Sequence, residues 1–173
     1  RGGRELEKWS AGQRASAAGA SGALNELIRA AHTSGNLNLS SRSLREIPTA
    51  LLNWHTPIGD ENWWSVMELS KLDLSHNELE GTLPDAIFVP LSVLSVLHIG
   101  NNGFTALPQT LTNCSSTLTR LNLTHNRFAA LPAWLGALSS LTHLAVDHNG
   151  LVALPPSCGL LHGLEVLTAS NNQ

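Results

Sequence analysis

The chain has 173 residues and a net charge of −3 at neutral pH, a length that suits a single domain. Residues 1–20 carry four basic and two acidic side chains, whereas the remainder carries six basic and eleven acidic ones, which argues against binding to a nucleic-acid backbone. No apolar run approaches the ~18 residues that span a bilayer, so we expect neither nucleic acid nor membrane as a partner.

The first 35 residues divide into an arm and a helix. Residues 1–20 are rich in Arg, Gly, Ala and Ser and have no sustained hydrophobic period, which predicts a flexible arm. Apolar residues then recur at the spacing of an amphipathic helix, namely Leu24, Leu27, Ile28 and Ala31. Ser21 is a suitable N-cap and Gly35 a suitable stop, so we predict over residues 21–35 a helix that caps the domain behind it.

The stretch from Leu118 to Pro132 contains the pattern that organises the rest of the chain. It reads LTRLNLTHNRFAALP, or LxxLxLxxNxLxxLP, and residues 36–173 repeat this pattern with small changes. Six copies are aligned by the residue in the asparagine column: Arg42, Asn77, Asn102, Asn126, Asn149 and Asn172. Self-similarity with this signature, at a period of about 20–29 residues, indicates a leucine-rich repeat solenoid.

Each copy of the repeat predicts one short strand. The predicted strand centres are Asn38, Asp73, His98, Asn122, Ala145 and Thr168. Leucines beside each centre point inward and the odd residues point outward. Helical segments return on the convex side, with these residues in the core: Leu51, Ile87, Leu111, Leu135 and Cys158. The predicted fold class is therefore α/β, a leucine-rich repeat solenoid that forms a curved right-handed superhelix, with parallel strands on the concave face and an N-terminal capping helix.

The asparagine column has a structural explanation. Each strand must turn sharply into the convex segment, which leaves backbone N–H and C=O groups buried without a strand partner. An amide side chain both donates and accepts hydrogen bonds, so a column of Asn can satisfy these groups from coil to coil. Arg42 interrupts the column, which is tolerable in an atypical first coil.

Two departures from the repeat carry additional information. The second copy, from Asn77 to Pro84, reads NELEGTLP, an NxLxGxLP form that resembles repeats of plant receptor ectodomains. The first two column residues are 35 positions apart, against 23 to 25 later, because of an insertion at 53–68 that contains three tryptophans. They are Trp54, Trp63 and Trp64. Two interpretations stay open: the tryptophans cover the gap between coils, or they anchor a partner, since Trp is enriched in binding hot spots.

The histidines do not form a recognisable catalytic or metal site. Three of them precede the asparagine column and two occupy outward strand positions: His76, His125, His148, His98 and His143. Several could come close in adjacent coils, but no thiolate or buried carboxylate joins them as in a zinc site. No GxSxG, HExxH, P-loop or paired CxxC motif occurs. We therefore expect no enzyme, no cofactor and no metal.

The two cysteines, Cys114 and Cys158, are too few for a disulfide framework. Both fall where the repeat requires an apolar residue, so we predict buried free thiols. Free thiols favour a reducing, cytoplasmic location. Glycosylation sequons begin at Asn38, Asn113 and Asn122, and they matter only if the chain is secreted.

The start of the repeat domain resembles a known family. The segment LIRAAHTSGNLNLS, from Leu27 to Ser40, and the insertion that ends in Trp63-Trp64 look like the opening of the leucine-rich repeat-containing protein 40 family. Later repeats, such as LNLTHN, are similar to the intracellular Ras-group-related repeat proteins. The resemblance implies a longer intracellular protein without known catalysis that acts through protein contacts. The NxLxGxLP repeat departs from this family's pattern.

We predict a non-catalytic scaffold that binds a protein partner, and no small-molecule substrate, through its concave face. The predicted contact residues are outward positions along the strands and two tryptophans of the insertion: Lys71, Asp73, Val96, His98, Arg120, Asn122, His143, Ala145, Asp147, Val166, Thr168, Trp63 and Trp64. The alternatives are a secreted or membrane-receptor ectodomain of plant-like repeat type and the recognition module of a larger multidomain enzyme. Since the chain stops directly after the sixth column residue, we expect further repeats after Gln173 in the intact protein.

Overall fold

A computed structural model describes residues 22–54 and 68–173. The predicted arm at 1–20 and the tryptophans Trp63 and Trp64 lie outside the described residues. Helix α1 occupies residues 22–34. In the part of the chain that the structure describes, no helix has the length and apolar character needed to cross a membrane.

Eight short strands follow α1 within the described residues. They are β1 (Asn36–Asn38), β2 (Lys71–Asp73), β3 (Glu80–Thr82), β4 (Val96–His98), β5 (Gly103–Ala106), β6 (Arg120–Asn122), β7 (His143–Ala145) and β8 (Val166–Thr168). One sheet has the order β1-β2-β4-β6-β7-β8, and all of its neighbouring strands are parallel. Each successive coil therefore adds one strand beside the last, which confirms the predicted solenoid.

The strands of this sheet lie one residue earlier than predicted. Each predicted centre is the last residue of its strand, as Asn122 is in β6. Two residues after Asn122 the chain leaves the sheet, because the Thr124 N–H donates to the Asn122 side-chain Oδ1 at 2.9 Å. A short polar side chain that bonds the backbone two residues on ends the extended conformation there.

Short helices return the chain on the convex side. They are α2 (Thr49–Leu52) and the 3-10 helices Asp85–Ile87, Gln109–Cys114, Ala133–Ala137 and Pro156–Leu160. Each begins directly after the proline of the repeat, for example Pro132, whose φ is −70°. Proline fixes φ near this value and has no N–H to satisfy, so it suits the start of a helical turn. The short returns leave room for one 3-10 segment rather than a long α-helix.

The leucines of the repeat form a continuous aliphatic core between the sheet and the convex helices. The predicted convex positions Leu51, Ile87, Leu111 and Leu135 are all fully buried. Cys158, also predicted to be buried, is only half-buried because its coil is the last one described and no neighbouring coil covers it. For the same reason the strand residue Leu167 is 43% exposed, whereas its equivalent Leu144 is 1% exposed.

Helix α1 covers the other end of this core. Its inward residues Ile28 and Ala31 are buried, as the amphipathic pattern predicted. The His32 ring packs edge-on against Trp54, with ring centroids 4.4 Å apart, and both side chains are buried. Gly35 ends the helix with φ +66°, a conformation that favours glycine. Trp54 therefore belongs to the core beneath the cap, which agrees with the structural interpretation for this one tryptophan.

Candidate functional site

An asparagine ladder closes the turn after each strand. Asn126 is 8% exposed, its Oδ1 accepts the Phe104 N–H at 3.0 Å, and its Nδ2 donates to the carbonyl oxygens of Ile99 and Leu123, both at 3.0 Å. Equivalent bonds are made by Asn77, Asn102, Asn149 and Asn172. The predicted satisfaction of backbone groups from coil to coil is confirmed.

Neighbouring ladder residues also share their acceptors. The Leu123 carbonyl accepts from Nδ2 of both Asn126 and Asn149, each at 3.0 Å. The Ile99 carbonyl likewise accepts from Asn102 at 3.1 Å and from Asn126 at 3.0 Å. The ladder is thus one hydrogen-bonded chain that fixes the spacing of the strands and of the side chains they present.

The residue before each ladder position has a left-handed backbone. Its φ lies between 53° and 55° in these six residues: Ser41 (55°), His76 (55°), Asn101 (55°), His125 (53°), His148 (53°) and Asn171 (55°). Asn and His are enriched among the residues that adopt this conformation. The left-handed backbone explains why histidine recurs at the position directly before the asparagine column. The sequence pattern alone had indicated only a polar surface position there.

Two of these histidines stack face to face. The His125 and His148 ring centroids are 4.0 Å apart with planes 10° from parallel. Because ring nitrogens direct their lone pairs within the ring plane, parallel stacked rings cannot point two nitrogens at one metal ion. Among the described residues no group of three or more His, Cys, Asp or Glu side chains is arranged to hold a metal.

The outward face of the six-stranded sheet presents two straight rows of side chains. The first row consists of Asn36, Lys71, Val96, Arg120, His143 and Val166. The second row consists of Asn38, Asp73, His98, Asn122, Ala145 and Thr168. Of the predicted contact residues within the described chain, all but Asp147 lie in these rows. None of them is buried.

Two shallow grooves follow these rows. The first has a volume of about 310 Å³ and runs over β1, β2 and β4, with Lys71, Asp73 and Val96 in its lining. The second, of about 180 Å³, runs over β6, β7 and β8 and is lined by Arg120 among others. His98 lines both grooves and therefore connects them.

Several oxygens of the second row are already engaged inside the chain. The Asp73 Oδ1 accepts the backbone N–H of Ser75 at 2.9 Å and its hydroxyl at 2.6 Å. The Asn122 side chain makes the same pair of bonds to Thr124, at 2.9 and 2.8 Å. The remaining Asp73 oxygen lies 3.9 Å from Nδ1 of His98. These side chains hold the strand ends and present only part of their polar surface outward.

Asp147 differs from the other predicted contact residues. Its carboxylate accepts hydrogen bonds from the Thr168 hydroxyl and, at 2.7 Å, from the Ser170 N–H in the next coil. Partial burial raises the pKa of Asp147, but the hydrogen bonds from Thr168 and Ser170 outweigh it and leave that pKa below its usual value. Asp147 thus ties two coils together, a role that sequence reasoning did not assign to it.

The flank beside the asparagine ladder carries a feature that sequence reasoning missed. A concavity of about 600 Å³ has Gly103 in its lining and two ion pairs at its margin. The Arg45 Nε lies 2.8 Å from Glu78, and Arg127 lies 3.1 Å from Glu80. All four side chains are mostly exposed, so solvent screens both pairs and they add little to stability. The only sequence signal was the pair of glutamates within the second copy, Glu78 and Glu80.

The NxLxGxLP copy also builds a second sheet that was not predicted. Strand β3, which contains Gly81, pairs in parallel with β5 of the next coil. Gly81 has φ +77°, and the register shifts between Gly81 and Thr82. A glycine in this conformation accommodates a β-bulge. The bulge lets β3 begin shortly after the ladder residue Asn77.

A parallel sheet that gains one strand from every coil, an asparagine ladder and helical returns on the opposite side define the leucine-rich repeat fold. Family models described as leucine-rich repeat match residues 92–151 and 68–89. The leucine-rich repeat and calponin homology domain-containing protein 1 of Mus musculus is 34% identical over 116 residues, which covers 66% of this chain and 14% of that protein. The chain therefore spans about a seventh of the length of this curated relative.

Two solved structures extend the comparison. A leucine-rich repeat protein of Leptospira interrogans superimposes with a TM-score of 0.66 at 28% identity, over 79% of this chain and 31% of that one. The ectodomain of the Arabidopsis thaliana membrane receptor kinase GASSHO1/SCHENGEN3, solved with Casparian strip integrity factor 2, gives 0.64 at 33% identity, over 80% and 16% respectively. These likenesses support the repeat class, and the finer resemblance to the protein 40 and Ras-group-related families stays a prediction.

Proposed function

We propose that this chain is a non-catalytic scaffold that binds a protein partner on its concave face. Leucine-rich repeat domains generally mediate protein–protein interaction, and their stacked repeats create extended concave surfaces. The observation that carries the proposal is the pair of outward rows, held in register across six strands. With strands about 4.8 Å apart, the rows extend over roughly 25 Å.

The rows offer a partner a surface that is already formed. The ladder and the strand-end hydrogen bonds fix the backbone beneath the side chains, so little ordering accompanies binding. The predicted contact residues within the rows include two cations, two histidines and two valines, which mixes polar and apolar contacts as interfaces commonly do. Trp63 and Trp64 stay in the proposal as partner anchors from the insertion.

The chemistry of the cysteines supports a binding role rather than a catalytic one. Cys114 is fully buried, its Sγ donates to the Leu91 carbonyl at 2.8 Å, and burial raises its pKa to about 11. Burial also raises the pKa of Cys158. A fully buried thiol such as Cys114 stays protonated and unreactive, which suits a structural side chain of a cytoplasmic protein.

The mouse relative supports a place for this scaffold within a longer chain. Its printed name joins leucine-rich repeats to a calponin homology domain, and the present chain covers 14% of it. We infer that the repeats act here, as the name of that relative suggests, as a recognition module joined to other domains. The full reading frame identifies those domains and shows whether one of them is an enzyme.

A receptor ectodomain is the second candidate function, and the β3–β5 sheet favours it. This sheet comes from the NxLxGxLP copy, whose form resembles plant receptor repeats, and one superimposed structure is a plant receptor ectodomain. The exposed Asn113 begins the sequon Asn113-Cys114-Ser115 on a convex 3-10 helix. Expression of the full reading frame, followed by glycosidase treatment, separates the candidates: a mass shift that Asn113→Gln abolishes supports a secreted receptor, and no shift supports the scaffold.

The concave face is tested by a bulky substitution and its matched control. Val96 is half-buried in the first row, whereas Val89 is 66% exposed outside the sheet. We expect the Val96→Trp chain to lose the proteins captured by the wild type, while Val89→Trp retains them. Equal capture by both variants would remove the concave-face proposal, provided that both have the wild-type circular dichroism spectrum.

A further inference from the structure

The charged groups of the concave face differ in whether the chain already uses them. Its acids, Asp73 and Asp147, accept hydrogen bonds from Ser75, Thr168 and Ser170. Its cations, Lys71 and Arg120, are both exposed, and within residues 22–54 and 68–173 neither side chain forms a hydrogen bond or an ion pair. The face therefore has spare donors and few spare acceptors, although the chain as a whole is acidic.

Arginines elsewhere on the surface show that this difference is local. Arg45 and Arg127, on the flank, each pair with a glutamate of another coil. No carboxylate of the concave face approaches Arg120 in the same way among the described residues. A guanidinium presents a rigid fork of donors that matches a carboxylate, so Arg120 is a ready site for an acid from outside the chain.

The spacing of the two cations selects the shape of that partner. Lys71 pairs in register with Val96, and Val96 with Arg120, so the cations lie in one row with a valine between them. Two strand spacings of about 4.8 Å separate them by roughly 9.6 Å. A polyproline II segment advances about 9.3 Å in three residues and completes one turn, so its residues i and i+3 lie on one face at this distance.

We propose that the concave face recognises an extended acidic segment of a partner protein, with carboxylates three residues apart seated on Lys71 and Arg120. The inference rests on the proposed concave-face function and names the chemistry of its partner. The residues between the two acids lie over Val96, beside the grooves that meet at His98. An α-helix, about 10–12 Å across with side chains, fits these shallow grooves of about 310 and 180 Å³ less well than an extended chain does.

Fluorescence anisotropy with three labelled peptides tests the proposal on the full chain. The peptides are four repeats of Glu-Pro-Pro, four repeats of Gln-Pro-Pro, and a composition-matched peptide with its four glutamates consecutive. We expect the Glu-Pro-Pro peptide to bind at least about fivefold more tightly than either of the others, and more weakly as salt is added. A single-stranded oligonucleotide serves as a polyanion without this spacing.

Matched substitutions locate the binding. Lys71→Gln and Arg120→Gln are each expected to weaken the Glu-Pro-Pro complex by at least about fivefold, while Arg45→Gln and Arg127→Gln leave it unchanged. Equal binding of the clustered peptide or the oligonucleotide, or equal losses in the flank variants, would overturn the proposal. Loss of captured proteins in Val96→Trp without any Glu-Pro-Pro binding would remove the acidic partner and leave the concave-face function standing.

Discussion

Removal of a single ladder amide tests how the coils are joined. In Asn126→Ala, the Phe104 N–H loses its acceptor. The carbonyls of Ile99 and Leu123 each lose one donor but keep another, from Asn102 and Asn149 respectively. The Thr124 carbonyl likewise loses the Asn126 amide, at 3.3 Å, and keeps the Asn101 N–H. The substitution therefore strands one buried group completely and weakens three others.

The magnitude follows from this count. One stranded buried donor costs about 1–3 kcal/mol, so we expect the free energy of unfolding to fall by that amount in Asn126→Ala. In the double variant Asn126→Ala/Asn149→Ala the Leu123 carbonyl loses both side-chain donors. The free energy of unfolding lost in the double variant should exceed the sum of the two single losses by about 1 kcal/mol, because the Leu123 carbonyl is now stranded as well.

Urea unfolding followed by far-ultraviolet circular dichroism measures these differences. The matched control is the pair Asn77→Ala and Asn149→Ala, which share no acceptor, so their losses should add. Additive losses in the adjacent pair, or a loss below about 0.5 kcal/mol in Asn126→Ala, would show that solvent replaces the ladder bonds and that the reasoning is wrong.

Two further predictions concern ionisable side chains. Because the pKa of Asp147 is lowered in the folded state, its charge stabilises the fold above the ordinary carboxyl pKa of about 3.9, and this stabilisation is lost as pH falls through the folded value. The melting temperature of Asp147→Asn should thus fall below the wild type near pH 7 and converge with it in acid, and a constant difference down to pH 2 would contradict this. For the thiols, a maleimide should modify half-buried Cys158 in the native chain and reach Cys114 only on unfolding, because Cys114 is buried with a pKa of about 11. Native modification of the Cys158→Ser chain at the wild-type rate would refute it.

The period of the leucines was enough to predict the coils. A leucine on each side of an outward residue, followed by Asn, specifies a strand, a turn and a buried return, and the structure confirms all three around Leu121 and Asn126. The pattern works because one short unit must bury the same face against its neighbour in every coil. Positions such as Leu135 could therefore be assigned to the core without a structure.

Features that depend on contacts between different coils were beyond the same reasoning. Asp147 looked like another outward polar residue, and only the placement of Thr168 and Ser170 in the next coil shows that it is bonded. The β3–β5 sheet required Gly81 and Gly103 to adopt compatible backbones in different copies. The ion pair of Glu80 joins residues 47 positions apart, a separation that no local pattern encodes.

Whether a charged side chain is bonded to a neighbouring coil decides whether it can be used to test function. Reversing Asp147 would remove bonds that join two coils, so a loss of partner binding in that variant would confuse instability with recognition. Lys71 and Arg120 lie on the same face without such bonds among the described residues, and the fold gives no reason for their charge. A residue that the repeat leaves free and the neighbouring coils do not engage is where a binding role can be measured alone. Substitutions at these two cations are therefore the ones whose effect on binding can be attributed to the partner.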